Sequence, residues 1–207
     1  KVLGFDIQQK RVDMVNNGVN YIGDVVDAEL KELVLSGKLE ATTNYERISE
    51  VDAVAICVPT PLDKHQQPDI SYVESSTREI AKRLHRGMLV VLESTTYPGT
   101  TEEVVKPILE STGLVCGQDF FLAFSPERVD PGNKQYNTKN TPKVVGGVTS
   151  WCTEVAATMY RNVLEREVFT VSSPRVAEME KLLENIFRHV NIALANEMAI
   201  LCNKMGI

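Results

Sequence analysis

The chain has 207 residues, of which 43% are hydrophobic, 24% charged and 6% aromatic, and its 22 basic against 28 acidic side chains give a formal net charge of −6. This composition belongs to a soluble globular fold with ample material for a core, and it excludes disorder and collagen-like repeats. The acidic balance, with a pI near 5.2, argues against nucleic acid or an anionic membrane surface as a partner, while leaving room for a small anionic ligand held by local donors.

Cys57, Cys116, Cys152 and Cys202 are far apart and form no CxxC pair, and the three histidines have no metal-ligand spacing with them. No metal site is expected, and a reducing compartment, the cytoplasm, fits. No apolar run reaches the roughly 18 residues that cross a bilayer, and the first residues lack a charged-then-apolar signal pattern.

Short apolar runs alternate with helical patterns almost throughout, which predicts an α/β fold, a doubly wound parallel sheet wrapped by helices. The chain opens in a strand over 2–5, followed by a helix over 7–17 stopped by Gly18 and another over 27–36 stopped by Gly37. A weak strand lies near 41–43 and a stronger one over 51–58. Ser71 and Glu74 predict a capping box, a strand follows over 88–92, and Thr100 with Glu103 predicts a second box. Further strands fall at 120–124, 143–145 and 168–171, with Ser150 as the expected cap of the helix between the last two. Ser173 and Pro174 then open a long helix that runs to about residue 204.

That last helix is two-faced. Val176, Met179, Leu182, Leu183, Ile186, Val190, Ala193, Leu194 and Leu201 share one broad arc; Glu178, Lys181, Asn185, Arg188, His189 and Asn196 gather opposite. The apolar arc is expected to lie against a second domain or a second subunit. A domain boundary falls at 172–173, where sheet-type alternation gives way to the helix.

In doubly wound sheets ligands sit at the carboxyl ends of the strands. Asp6 ends the first strand, where a carboxylate either forms a turn or accepts hydrogen bonds from the ribose hydroxyls of an adenine dinucleotide and disfavours the phosphorylated form. No GxGxxG phosphate loop is present. Pro59-Thr60-Pro61 forms a rigid turn after the 51–58 strand. The segment from Glu93 to Thr101 sets a serine and several threonines before a helix start, more hydroxyls than capping needs, and suits phosphate, a ribose or a reacting alcohol. Glu127 and Arg128 after the 120–124 strand are either a surface ion pair or a pair that orients a sugar and activates water. Lys181, Asn185 and His189, spaced by four on one helix face, are either solvated or, with a nearby glutamate, a stabiliser of a developing alkoxide.

Six segments in this order resemble the nucleotide-sugar dehydrogenase family, the NAD-dependent UDP-glucose and GDP-mannose type. They are Gly4-Phe-Asp6, Cys57-Val-Pro-Thr-Pro61, Glu93-Ser-Thr95 with Gly99-Thr-Thr101, Phe124-Ser-Pro-Glu127, Pro142-Lys-Val-Val-Gly-Gly147, and Glu178 to Arg188 with Val190 to Leu194. The resemblance implies a Rossmann-like NAD-binding domain over 1–172 and the start of a central helical, dimerising domain over 173–207. It implies oxidation of a UDP-sugar C6 alcohol to the acid by two hydride transfers to NAD through a cysteine-bound intermediate. Asp6 and Arg11 would hold the adenosine ribose, with Val58, Pro59, Thr60, Ser94 and Thr95 lining the cofactor cleft. Thr95 and Glu127 would position or activate water, Lys181 would stabilise the oxyanion, and Asn185 would hold water or sugar. Arg128 and His189 would contact the sugar or diphosphate.

The continuation Pro126-Glu-Arg-Val-Asp-Pro-Gly-Asn133 resembles the branch acting on UDP-N-acetylhexosamines, so UDP-N-acetylglucosamine is favoured over UDP-N-acetylmannosamine and UDP-glucose. The family's glycine-loop strand and nucleophilic cysteine are both missing from these residues, none of the four cysteines standing in that motif. The expectation is therefore an excerpt of a longer polypeptide, with a gap in the sheet beside the 2–5 strand. Rival readings are a β-hydroxyacid or 6-phosphogluconate type dehydrogenase, and a non-catalytic NAD- or nucleotide-sensing module that dimerises through the last helix.

Overall fold

A computed structural model describes residues 1–22, 25–128 and 140–207. Strand β1 (Val2–Phe5), helices α1 (Gln9–Asn16) and α2 (Asp27–Leu35), strand β2 (Leu39–Thr42) and a 3-10 turn (Tyr45–Glu50) come first. Then follow β3 (Ala53–Ile56), α3 (Ser71–Ala81), β4 (Leu89–Leu92), a π-helical turn (Thr101–Val105) continuing into α4 (Lys106–Glu110), and β5 (Phe121–Phe124). The chain ends with β6 (Lys143–Gly147), α5 (Ser150–Arg161), β7 (Val168–Val171) and the long α6 (Pro174–Met205).

Alternation along β4 explains the layering. Val90 and Leu92 face a cluster with Val73, Ile80, Val105 and Leu109 from the α3 and α4 side, while Leu89 and Val91 face Ala156 and Tyr160 of α5. A strand apolar on both faces is one covered by helices on both sides. Fully burying each such side chain contributes about 1.5–3 kcal/mol, so the paired β4 and β5 form the stable centre.

Among the described residues the strands form two sheets, β1 with β2, and β3-β4-β5-β6-β7. Every pairing is parallel except β5 with β6, which is antiparallel through Ala123 opposite Gly147 and Phe124 opposite Gly146. The wholly parallel sheet expected from the sequence is corrected at this one place. Strand β6 starts at the end of the sheet where β5 finishes, so the chain needs no crossover back along the sheet. Strands β1 and β3 are not paired with each other; a cavity of about 840 Å³ separates them, lined by both strands and by Tyr45, Ile48, Ile80 and Met159. The expected gap in the sheet stands here.

Helix stops read from the sequence hold, with Gly18 and Gly37 both in the left-handed region. The starts need correction. Asp69, ahead of Ser71, accepts the Ser71 N–H, and the Ile70 N-cap makes no side-chain bond. Thr149, not Ser150, caps α5 by accepting from the Cys152 N–H at 3.1 Å. Thr100 turns its hydroxyl back to the Tyr97 carbonyl and caps nothing. In each case a better-placed acceptor outcompetes the one in the sequence pattern.

Helix α6 inverts the usual expectation for an amphipathic helix. Ala177, Glu178 and Lys181 are buried, whereas Met179, Leu183, Ile186, Val190 and Leu194 are each more than half exposed. Only the start of the polar arc is covered: Glu178 and Lys181 are buried and Asn185 is half-buried, while Arg188, His189 and Asn196 are exposed. Among the described residues no helix is long and apolar enough to cross a membrane.

The approach of α5 and α6 to β6 is possible only without side chains on Gly146 and Gly147. A Cβ would lie 2.2 Å from the Ser173 carbonyl oxygen at the first position and 2.2 Å from the Thr153 backbone nitrogen at the second. Backbone atoms cannot swing aside, so Gly147→Ala is expected to destabilise the protein by about 3 kcal/mol or more, read as a lower denaturant midpoint.

Candidate active site

The carboxyl ends of β3, β4 and β5 and the first turns of α6 meet at one end of the sheet, and side chains staple them together. Ser94 is buried, its hydroxyl accepting the Val58 N–H at 3.0 Å and lying within hydrogen-bonding reach of the Val58 carbonyl at 2.8 Å. Thr60 donates its hydroxyl to the Thr95 carbonyl at 2.7 Å. The Val58-Pro59-Thr60 turn is thus fixed against the segment after β4, as a rigid wall.

Glu178 makes the strongest staple. With no exposed surface, its carboxylate accepts from the Gly99 N–H at 2.6 Å, the Thr101 N–H at 2.9 Å and the Thr101 hydroxyl at 2.7 Å. A carboxylate at a helix start satisfies otherwise orphaned donors and the positive end of the helix dipole. The expectation that 93–101 suits phosphate, a ribose or a reacting alcohol is narrowed accordingly: the N–H groups of Gly99 and Thr101 and the Thr101 hydroxyl are already taken by the protein's own carboxylate. Sequence spacing could not reveal this, because the partners are separated by more than seventy positions.

Pinning Glu178 sets Lys181 and Asn185 on the same face. Lys181 is 9% exposed, and burial pulls its ammonium below the usual lysine range, against the opposing pull of Glu184, Glu127 and Glu180. Among the described residues no carboxylate lies within ion-pair distance of its Nζ. Asn185 is half-buried beside it and Thr95 half-buried across the site, whereas His189 is exposed, further along α6. Of the residues singled out from the sequence, Glu127 acts on Lys181 through its charge, and Asn185 follows Lys181 by one helical turn, while His189 is exposed.

Glu127 and Arg128 do not form the mutual side-chain pair the sequence allowed. The Arg128 guanidinium pairs with Glu184 and lies 3.7 Å from Glu180, both on α6, while Glu127 Oε1 accepts the Arg128 N–H at 2.7 Å. Glu180 is pushed up by burial and by the Glu184 charge. Arg128 thus ties the segment after β5 to the helix, which limits its freedom to contact a ligand. The 129–133 part of the Pro126–Asn133 motif lies outside the described residues.

Beyond β1, the Asp6 carboxylate accepts the Gln8 N–H at 2.7 Å and Arg11 at 3.3 Å, and Arg11 sits 5.8 Å above the Tyr21 ring. A partly exposed carboxylate beside a stacked guanidinium suits an adenosine, with the acid accepting from ribose hydroxyls; the residues present fit the adenosine end of NAD. Sequence reasoning missed the buried cluster of Glu93, Lys143 and Tyr160. The Tyr160 hydroxyl donates to Glu93, and Lys143 Nζ lies 3.2 Å from the same carboxylate. A lysine in an otherwise apolar strand was the available signal. The Cys57 thiol is pushed up to about 12 by burial and Glu93, so it stays protonated at neutral pH.

A sequence model of the UDP-glucose/GDP-mannose dehydrogenase family's NAD binding domain matches residues 1–164, and one of that family's central domain matches residues 175–207. Over its whole length the chain is 40% identical to a Pseudomonas aeruginosa protein named UDP-N-acetyl-D-glucosamine 6-dehydrogenase, covering 48% of it. It is equally 40% identical to a Pyrococcus horikoshii protein named UDP-N-acetyl-D-mannosamine dehydrogenase, covering 49% of that one. The solved UDP-D-ManNAc dehydrogenase from Pyrococcus horikoshii matches 100% of this chain, and 49% of its own, at a TM-score of 0.93 and 40% identity. A ternary complex of GDP-mannose dehydrogenase from Pseudomonas aeruginosa matches 95% of this chain and 46% of its own, with a TM-score of 0.87 at 28% identity. The chain spans about half the length of these relatives.

Two outcomes test the stapled geometry. Glu178→Gln turns an amide donor toward the N–H groups of Gly99 or Thr101, and a loss of about 1–3 kcal/mol in unfolding free energy is expected. For Lys181, a base whose folded pKa lies below its unfolded value near 10.5, the unfolded chain binds more protons, so stability rises with pH through that window. Lys181→Met is therefore expected to unfold at a higher midpoint than the parent at pH 7, with the advantage shrinking as pH approaches 10.5.

Proposed function

The chain belongs to the UDP-glucose/GDP-mannose dehydrogenase family, and from that premise we propose that it forms the NAD-holding part of an enzyme that oxidises the C6 alcohol of a UDP-N-acetylhexosamine to the acid. Glucosamine is the favoured sugar configuration, ahead of mannosamine, with UDP-glucose third. The division of labour follows the chain, with 1–172 holding the cofactor and 173–207 beginning a central helical domain. The observation that supports the reading is that the charge of Glu127, which follows the carboxyl end of β5, reaches the buried Lys181 ammonium.

NAD supplies the hydride acceptor. On this chain Asp6 and Arg11 hold the adenosine, and the stapled wall of Val58, Pro59, Thr60, Ser94 and Thr95 shapes the cleft. Burial makes the Lys181 cation a poorly solvated partner for an oxygen gaining negative charge, and a preformed cation there stabilises that charge without reorganisation. Glu127, half exposed beside it, accepts a proton from water in the hydrolytic step. Asn185 and the Thr95 hydroxyl orient that water or the sugar. The exposed apolar arc of α6 supports burial against a further domain or against a second copy in a homodimer or larger homo-oligomer, and the reading takes the enzyme as cytoplasmic.

The test uses a polypeptide that carries this chain at the length of its relatives, with NAD and each of UDP-N-acetylglucosamine, UDP-N-acetylmannosamine and UDP-glucose, read as NADH absorbance. NADH with an acetamido sugar is expected, and none from any of the three sinks the reading. Lys181→Ala is expected to lower kcat by about 10²–10³-fold with the Kd for NAD unchanged; lost NAD binding would show that Lys181 serves the cofactor instead.

A further inference from the structure

At the carboxyl end of β4, Glu93 lies beneath the site with its side chain 14% exposed. Its carboxylate accepts from the Tyr160 hydroxyl, lies 3.2 Å from Lys143 Nζ, and receives the Cys57 thiol at 3.8 Å. Lys143, with a side chain 8% exposed, also stands 5.0 Å from the centre of the Tyr160 ring. A buried carboxylate is costly unless it is paired and hydrogen-bonded, and Lys143 with Tyr160 meets that need.

The same ammonium reaches a second carboxylate. Lys143 Nζ is 3.7 Å from Glu127 Oε2, while Glu127 Oε1 accepts the Arg128 N–H. The register of β6 explains the encounter. Phe124 pairs antiparallel with Gly146, and the same register continued past Phe124 sets Lys143 opposite Glu127. The Ser125 hydroxyl, donating to the Val144 carbonyl at 2.8 Å, locks the two segments between those points. One buried cation therefore sits between an inner carboxylate that is fixed and an outer one that faces the site.

We propose that Lys143 is a positioning residue for the reaction: held by Glu93 and Tyr160, its ammonium fixes the Glu127 carboxylate in the orientation from which it takes the proton of water. This rests on the catalytic reading of Glu127 given above. A lysine serving only to neutralise Glu93 has no need to stand opposite Glu127, and a merely structural role predicts that removing both buried charges together restores whatever the lysine supplied.

The experiment compares the parent, Lys143→Met, Lys143→Arg and the double variant Glu93→Gln/Lys143→Met in a polypeptide of the relatives' length. For each, the melting temperature is measured, along with kcat and the KM for NAD and for the UDP-N-acetylhexosamine that the parent oxidises. Lys143→Met is expected to melt lower and to lose about 10- to 100-fold in kcat with both KM values within about twofold. Lys143→Arg should recover most of kcat. The double variant, with no uncompensated charge, should regain melting temperature without regaining kcat. Recovery of kcat together with stability in the double variant, or an unchanged kcat in a folded Lys143→Met, overturns the proposal while leaving the catalytic reading intact. A parent that oxidises no UDP-sugar overturns both.

Discussion

The Glu178 carboxylate, buried on α6 and bonded to Gly99 and Thr101, fixes how the long helix lies over the sheet. Without it the helix would be free to turn its apolar arc inward, the choice hydrophobic burial alone would favour. A carboxylate that closes a helix start is held both by hydrogen bonds and by the helix dipole, and residues three and four positions on share its face. Lys181 and Asn185 inherit their direction from that bond. The Arg175 pairs with Glu102 and Glu103, each at 2.7 Å, and the Arg128 contacts with Glu180 and Glu184 secure the helix on either side of the clamp.

Much of this architecture was legible in the chain. Seven apolar runs became strands near their expected places, Gly18 and Gly37 ended their helices, and Pro174 opened α6, because each depends on local periodicity or a single backbone preference. Motif order singled out Glu127 and Lys181, and the charge of the first does reach the second. What stayed hidden depends on partners distant in sequence. The antiparallel turn of β6 leaves no mark on a short apolar strand, whose side chains alternate identically in either direction. Nor could spacing show that the hydroxyls of Ser94, Thr60 and Thr101 are engaged with the protein's own backbone and with Glu178.

That engagement changes the electrostatic picture of a chain with net charge −6. Of the cations near the site, Arg128 is committed to α6 and Lys143 to Glu93 and Glu127, while the exposed Arg188 acts on Lys181 through its charge. Unlike Arg128 and Lys143, Lys181 has no carboxylate in ion-pair range among the described residues. An anionic ligand entering this end of the sheet therefore meets a local field in which the buried Lys181 weighs more than the exposed Arg188, because less solvent screens it.

The separation of β1 from β3 bears on a different property, colloidal behaviour. Among the described residues each strand pairs on one side only, and both border one cavity. Unpaired strand edges act as templates for any extended segment that meets them, and proteins ordinarily cover, bend or charge them. Here Val2, Leu3, Val54 and Ile56 border the edges together with the charged Lys1, Arg47, Glu50 and Asp52, which oppose the approach of a further strand. Local charge at these edges therefore bears on solubility more directly than the net charge of the chain, because it stands where another strand would have to add.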